Sequence, residues 1–257
     1  MVASTAGAER ANTGPHPSAS AAHLPPKWGK GHCAPMITLH AFANMFPGGI
    51  GETKDMRIQW ALEEMGVPYQ VRAWDYLAGD TNGPEFSAIS PFNQLPVLEH
   101  DGLVLAESGA ILIHLAEFAG QLTPADPAGR AEVMQWCFAA VATVSPMLAM
   151  TSMYDAGFMG ADDKARDFMV GIARRWLEGL ERRLANDGKP RHWIAADRFT
   201  VADILMATVL REVRETDLMD EYPNVRAYYA RAFARPAWTR TRELYADRLG
   251  VAVETIA

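Results

Sequence analysis

The sequence predicts an α/β domain followed by an all-α domain. Short β-branched runs alternate with helical patterns as far as Gly120, the connector "QLTPADPAG" follows, and only long helical patterns occur beyond it. At 257 residues, 49% hydrophobic and 21% charged, the chain has room for two such cores.

Each element can be justified in order from Met36. "MITLHAF" is a short apolar strand run and "ANMFPGGIGETK" a glycine-rich loop. "DMRIQWALEEMG" sets Met56, Trp60, Ala61 and Met65 at helical spacing and stops at Gly66. "VPYQVRAW", opened by Pro68, reads as a second strand, so the first three elements form a right-handed βαβ unit with parallel strands. "DYLAGDTNGPEFSAISPFN" is mostly loop, with room for one short helix. "VLEH" and "LVLA" flank Asp101-Gly102, a pair suited to positive φ, which predicts a hairpin from Val97 to Ala106. "SGAILIHLAEFAG" is then an apolar helix ending at Gly120. This gives a first domain over 36–120 and a helical domain over 127–249.

In the second domain, helices are expected over 127 to about 155 and 162 to about 186. Thr200 to Asp203 reads as a T-x-x-D capping box, with Phe199 and Ile204 placed as a hydrophobic staple, so the pair is assigned to folding rather than catalysis. "YPNVRAYYARAFARPAW" adds a further helix that ends near Pro236, and a last one runs to about Leu249.

Composition narrows the function. With 24 basic against 31 acidic residues and a formal charge of −7, the chain lacks the basic footprint of a nucleic-acid binder. Cys33 and Cys137 are too far apart in sequence for a CxxC pair or a zinc cluster, which fits a reducing cytoplasmic setting. The seven histidines, at 16, 23, 32, 40, 100, 114 and 192, show no helical ligand spacing, so no metal is expected. No run of 18 uninterrupted apolar residues occurs, which argues against a membrane span. Residues 1–35, rich in Ala, Ser, Pro and Gly, read as a disordered extension.

Two features of "QLPVLEHDGLVLAESGAI" carry chemistry. Proline at the mouth of a strand donates no hydrogen bond, and an X-Pro bond has access to the cis form. Leu95 before it keeps an N–H and a C=O able to pair with an extended peptide. Ser108 is placed either to cap the helix or to join its free amides in holding a carboxylate, with Glu107 beside it to take an ammonium group. A hairpin joins the two features, so they lie at one end of the sheet.

The stretch "SPFNQLPVLEHDGLVLAESGAILIHLAE" closely resembles the cytosolic glutathione transferase pattern, and "RIQWALEEMGVPYQV" and "FTVADI" are similar to further segments of that family. The resemblance covers about residues 36–245. It implies a thioredoxin-like N-terminal domain followed by a helical bundle, and glutathione as co-substrate. It also implies that Pro96 is cis, that Leu95 pairs with the cysteinyl part of glutathione, that Glu107 and Ser108 hold the γ-glutamyl end, and that Gln94 reaches the tripeptide. A homodimer and a detoxifying role are implied by the resemblance alone.

Such a site activates a thiol. Lowering a cysteine pKa of about 8.5 by about two units takes about 2.7 kcal/mol of differential stabilisation. The family uses a Tyr, Ser or Cys after the first strand, and the loop here contains none; Ala41 stands where the tyrosine would. Thr53 is the first candidate activator and Asn44 the second, with Lys54 and the amides of Gly48, Gly49 and Gly51 also able to donate. Thr53 would alternatively cap the first helix. An apolar electrophile is expected between the domains, near Met150, Tyr154 and Phe158. Other outcomes are a glutathione-dependent reductase, thioether-cleaving enzyme or isomerase, and a non-catalytic binding module of the same fold.

Overall fold

The computed structural model describes residues 36–158 and 162–256. The expected N-terminal extension lies outside them. A four-stranded mixed sheet has the order β2-β1-β3-β4, built from β1 (Ile37–Asn44), β2 (Gln70–Asp75), β3 (Val97–His100) and β4 (Leu103–Ala106). β1 and β2 are parallel, joined through α1 (Asp55–Met65), while β3 runs antiparallel to both β1 and β4. The second strand begins at Gln70, two residues after Pro68, and α2 (Pro84–Ser87) is the short helix of the polar connection. The β3–β4 turn has φ of 48° at Asp101 and 85° at Gly102, the doubly positive pattern that an Asp-Gly turn favours.

α3 (Ser108–Ala119) and α1 cover one face of the sheet, burying Ile37, Leu39, Leu98, Ile111 and Leu115 in one core. The opposite face carries a smaller cluster of Trp74, Phe86, Leu95 and Val97. Alternation along β1 explains the split. Ile37, Leu39 and Ala41 face the first cluster, whereas His40 accepts a 3.0 Å hydrogen bond from Trp74 and contacts Glu99 at 3.0 Å on the other side.

Beyond α3 the chain is helical: α4 (Pro127–Phe138), α5 (Ser145–Asp155), α6 (Asp163–Ala185), α7 (Val201–Leu210), α8 (Pro223–Phe233) and α9 (Pro236–Leu249). α4 and α5 are joined by a π-helical stretch, Ala139–Val144, into one helix of 29 residues. By length and composition that helix is sufficient to cross a membrane, and it packs against α6 and α7. Counting uninterrupted apolar residues missed it because polar residues such as Glu132, Gln135 and Ser145 break the run while its mean hydropathy stays high. The capping box is present: the Asp203 carboxylate accepts from the Thr200 N–H at 2.8 Å and also from Ile194 N–H and the Tyr228 hydroxyl. Its burial raises the Asp203 pKa to about 6.

α1 unites the two parts. It touches α3, α7 and α9 as well as β1, and residues 55–62 are all buried. Trp60 lies at its centre, its ring 5.0–5.6 Å from those of Phe199, Phe233 and Trp238. The Trp60 indole donates to Glu64, which in turn holds Arg235 of the last turn before α9 through two hydrogen bonds of 2.6 and 2.7 Å.

Candidate active site

The turn into β3 is fixed from below. The buried Ser90 hydroxyl accepts from the Gln94 N–H and donates to the Gln94 carbonyl, both at 2.9 Å, leaving the Gln94 side chain exposed. The Leu95–Pro96 bond is cis. The Leu95 side chain is anchored in the Trp74, Phe86 and Val97 cluster. Among the described residues, nothing hydrogen-bonds its N–H or C=O. Val97 pairs with Ala106, so the segments ending at Pro96 and starting at Glu107 lead off the same end of the hairpin.

Glu107 precedes α3 with φ 70° and ψ 113°, a conformation that costs an L-residue about 1–3 kcal/mol and that surrounding structure must hold in place. It is the N-cap residue but makes no capping bond, and its side chain is exposed. Ser108 is therefore the first helical residue, which overturns the capping alternative for its hydroxyl. The buried Ser108 Oγ instead accepts from Arg57 Nη1 at 3.4 Å. A guanidinium thus lies beside a helix N-terminus, and the two together favour an anion.

Arg57 is buried, and its carboxylate neighbour is Glu212 at 3.7 Å. Burial raises the Glu212 pKa to about 7 against the pull of Arg57 and Lys54. Ser145, at the start of α5, donates to the same carboxylate at 3.3 Å. Glu212, Arg57, Thr53, Lys54, Arg211 and Trp238 share a cavity of about 30 Å³ between the loop and α7, space on the scale of a single water.

The β1–α1 loop is organised from the far end of the chain. Thr53 lies outside α1, whose N-cap is Lys54, so its hydroxyl does not cap the helix; it lies 3.0 Å from the Tyr245 hydroxyl of α9. The Gly51 N–H donates to the same Tyr245 oxygen at 3.2 Å, and Arg211 donates to the Gly51 carbonyl. Glu52 is held by Arg214 at 2.6 Å. One turn along α9 from Tyr245, Arg248 donates to the Phe42 carbonyl at 3.0 Å, to Gln59 at 2.9 Å and to the fully buried Asp55 at 2.6 Å. Both ends of the loop are thereby tied to one helix.

The other loop candidates have less to offer. Asn44 ends β1 and is exposed, and its side-chain oxygen accepts from the next residue's N–H at 2.9 Å. The Gly49 N–H is committed to the Phe46 carbonyl at 2.8 Å. Ala41 is buried on the face toward α1 and α3. Met150, Tyr154 and Phe158 do not line the loop cavity; Phe158 is 74% exposed. Among the described residues, no group of three or more His, Cys, Asp or Glu side chains is placed to hold a metal ion. The two histidines that do meet, His100 and His114 at 2.8 Å, come from β3 and α3.

Sequence reasoning missed Arg57, Glu212, Tyr245 and Arg248. Arg57 had a signal: it is the one basic residue of α1, set between Met56 and Ile58. The others come from positions more than 150 residues from the loop, and local pattern carries no trace of them.

Two family models match the chain, the glutathione S-transferase N-terminal domain over residues 48–117 and its C-terminal domain over 163–231. The chain is 31% identical over 189 residues to the disulfide-bond oxidoreductase YfcG of Escherichia coli, a match spanning 70% of this chain and 86% of that one. Among solved structures it is similar to a glutathione transferase of Burkholderia graminis with two glutathione molecules bound per subunit, at 32% identity, TM-score 0.68, and coverage of 80% and 87%. It is also similar to one from Pseudomonas putida with one glutathione disulfide bound per subunit, at 27% identity, TM-score 0.68, and coverage of 80% and 90%. The chain belongs to the glutathione S-transferase family.

Proposed function

We propose that this chain binds glutathione along residues 94–108 and presents its thiolate, activated by Thr53, to an apolar electrophile. The strained Glu107 at the start of α3, with Ser108 beside the buried Arg57, carries the reading. In this assignment the α3 N-terminus and Arg57 take the γ-glutamyl carboxylate, Glu107 takes the ammonium group, and Gln94 contacts the peptide. The Leu95 backbone pairs with the cysteinyl residue as an added strand would. The thiol proton leaves to solvent and Thr53 donates to the sulfur, with Asn44 as the second candidate. Residues 36–120 form the glutathione-binding unit and 127–249 the helical one. The protein works as a cytoplasmic homodimer, a reading supported by apolar side chains exposed on β4, α3 and α4: Leu103, Val104, Phe118, Met134 and Phe138.

A second reading is disulfide reduction by bound glutathione. It draws on the relatives that carry two glutathione molecules or glutathione disulfide. Cys137, the cysteine among the described residues, is buried with its pKa pushed up to about 12 and is no thiolate donor, so exchange in this reading runs between bound thiols. Calorimetry with glutathione, followed by assays with a chlorinated aromatic and with a mixed glutathione disulfide, separates the readings. Absence of glutathione binding would sink both.

A further inference from the structure

We infer that glutathione binding is coupled to proton uptake at Glu212, because the γ-glutamyl carboxylate and the Glu212 carboxylate share the one guanidinium of Arg57; this rests on the reading that sets the γ-glutamyl carboxylate beside Arg57. The buried Arg57 has two arms. Nη1 donates to Ser108 Oγ at 3.4 Å, on the side where the ligand carboxylate is held, and Nη2 lies 3.7 Å from Glu212 Oε1 in the helical part. A second anion on the same guanidinium disfavours the ionised form of the first. Charge balance is restored when one of the two carboxylates takes a proton. A free α-carboxyl ionises at about 3.3–3.7, whereas burial has already raised the Glu212 pKa to about 7, so the proton goes to Glu212.

The other charged groups around Glu212 leave Arg57 as its main counter-charge. Arg211 and Arg214, beside it in the chain, lie 3.6 and 2.6 Å from Glu52 of the loop. Lys54 lines the same cavity but is exposed, so its pull is screened. From α5 the Ser145 hydroxyl donates to Glu212 Oε1 at 3.3 Å, which favours the ionised form, while Glu52 opposes it. The ligand's ammonium group is taken by Glu107 in the proposed assignment and leaves the balance at Arg57 unchanged. Binding is therefore tighter where Glu212 is protonated, at lower pH, and by reciprocity the ligand raises the Glu212 pKa.

The experiment is calorimetry on the full chain in buffers of different ionisation enthalpy, with S-methylglutathione as the probe because its blocked sulfur has no proton to release. The dependence of the binding heat on the buffer counts the protons taken up. Binding is expected to raise the Glu212 pKa by about one unit, which gives uptake of about half a proton per site at about pH 7.5 and an affinity about fivefold weaker at pH 8 than at pH 6. Glu212→Gln should show neither effect. A wild type without uptake overturns the coupling, and uptake that persists in Glu212→Gln overturns its assignment to Glu212. The analogue with γ-aminobutyryl in place of γ-glutamyl lacks the α-carboxylate and is expected to bind more weakly, with no uptake. Analogue binding as tight as that of the parent overturns the placing of the carboxylate and the coupling with it. Weak analogue binding beside a parent that takes up no proton leaves that placing intact and removes the coupling alone. Should Glu212→Gln fail to fold, Ser145→Ala removes a donor to the ionised carboxylate and is expected to move the pH of greatest uptake upward; an unmoved maximum contradicts the assignment to Glu212.

Discussion

The segment from Gln94 to Ser108 and the loop from Ala43 to Lys54 are built differently. The first is nearly self-contained. Ser90 fixes Gln94, the hairpin pairs Val97 with Ala106, and the further contacts come from residues of the same domain, among them His40, Trp74 and Arg57. The second has few internal bonds and takes its shape from Arg211, Arg214, Tyr245 and Arg248, more than 150 residues away in the chain. In the proposed assignment, glutathione recognition is a property of one domain's backbone, whereas activation depends on docking of the helical part. Substitutions in α9 should therefore change chemistry more than binding.

Arg248→Ala is the strongest way to break the contrast. It leaves the buried Asp55 without its cation, an outcome that typically costs about 3–5 kcal/mol. The melting temperature should fall by at least about 6 °C, with Arg248→Lys intermediate. A drop below about 2 °C would mean that the loop does not rely on α9.

Ser108→Ala attacks the other region. Loss of a hydroxyl beside a bound carboxylate should weaken glutathione binding about tenfold by calorimetry, with the melting temperature little changed. If affinity is unaltered, the γ-glutamyl end sits elsewhere.

Glu212→Gln sharpens the boundary between the regions through its pH dependence. The folded protein holds this proton up to about pH 7, against an ordinary value of 4.5, so the stability it contributes is complete below about 4.5 and is lost as pH rises through 7. The glutamine variant should therefore melt several degrees higher relative to wild type at pH 8 than at pH 4. An equal gain at both would remove Glu212 from the account of pH dependence.

Legibility in the sequence follows the same division. The hairpin and both bounding helices could be read because Asp101-Gly102, Gly66, Gly120 and the period of the apolar residues are local signals. Pro96 and the Glu107-Ser108 pair stood out as breaks in that local pattern. Thr53 stands out in the sequence as a hydroxyl in the loop after β1, but its hydrogen-bond partner Tyr245 does not, because nothing in "RELYADRLG" differs from an ordinary amphipathic helix. Ser108 was misread as a possible cap since the cap position depends on the backbone of Glu107, whose φ of 70° no residue preference announces. The continuous helix over 127–155 was legible, but its π-helical stretch was not, as the sequence there, "AAVATV", favours no particular helix type.

Separation of holding from activating is tested most directly by measuring glutathione affinity and bound-thiol pKa side by side in Ser108→Ala and Thr53→Ala. The account predicts a crossed result. Ser108→Ala loses about tenfold in affinity with an unshifted thiol, while Thr53→Ala keeps affinity within about threefold and raises the thiol pKa by about one unit. Parallel changes in both quantities for both variants would contradict it.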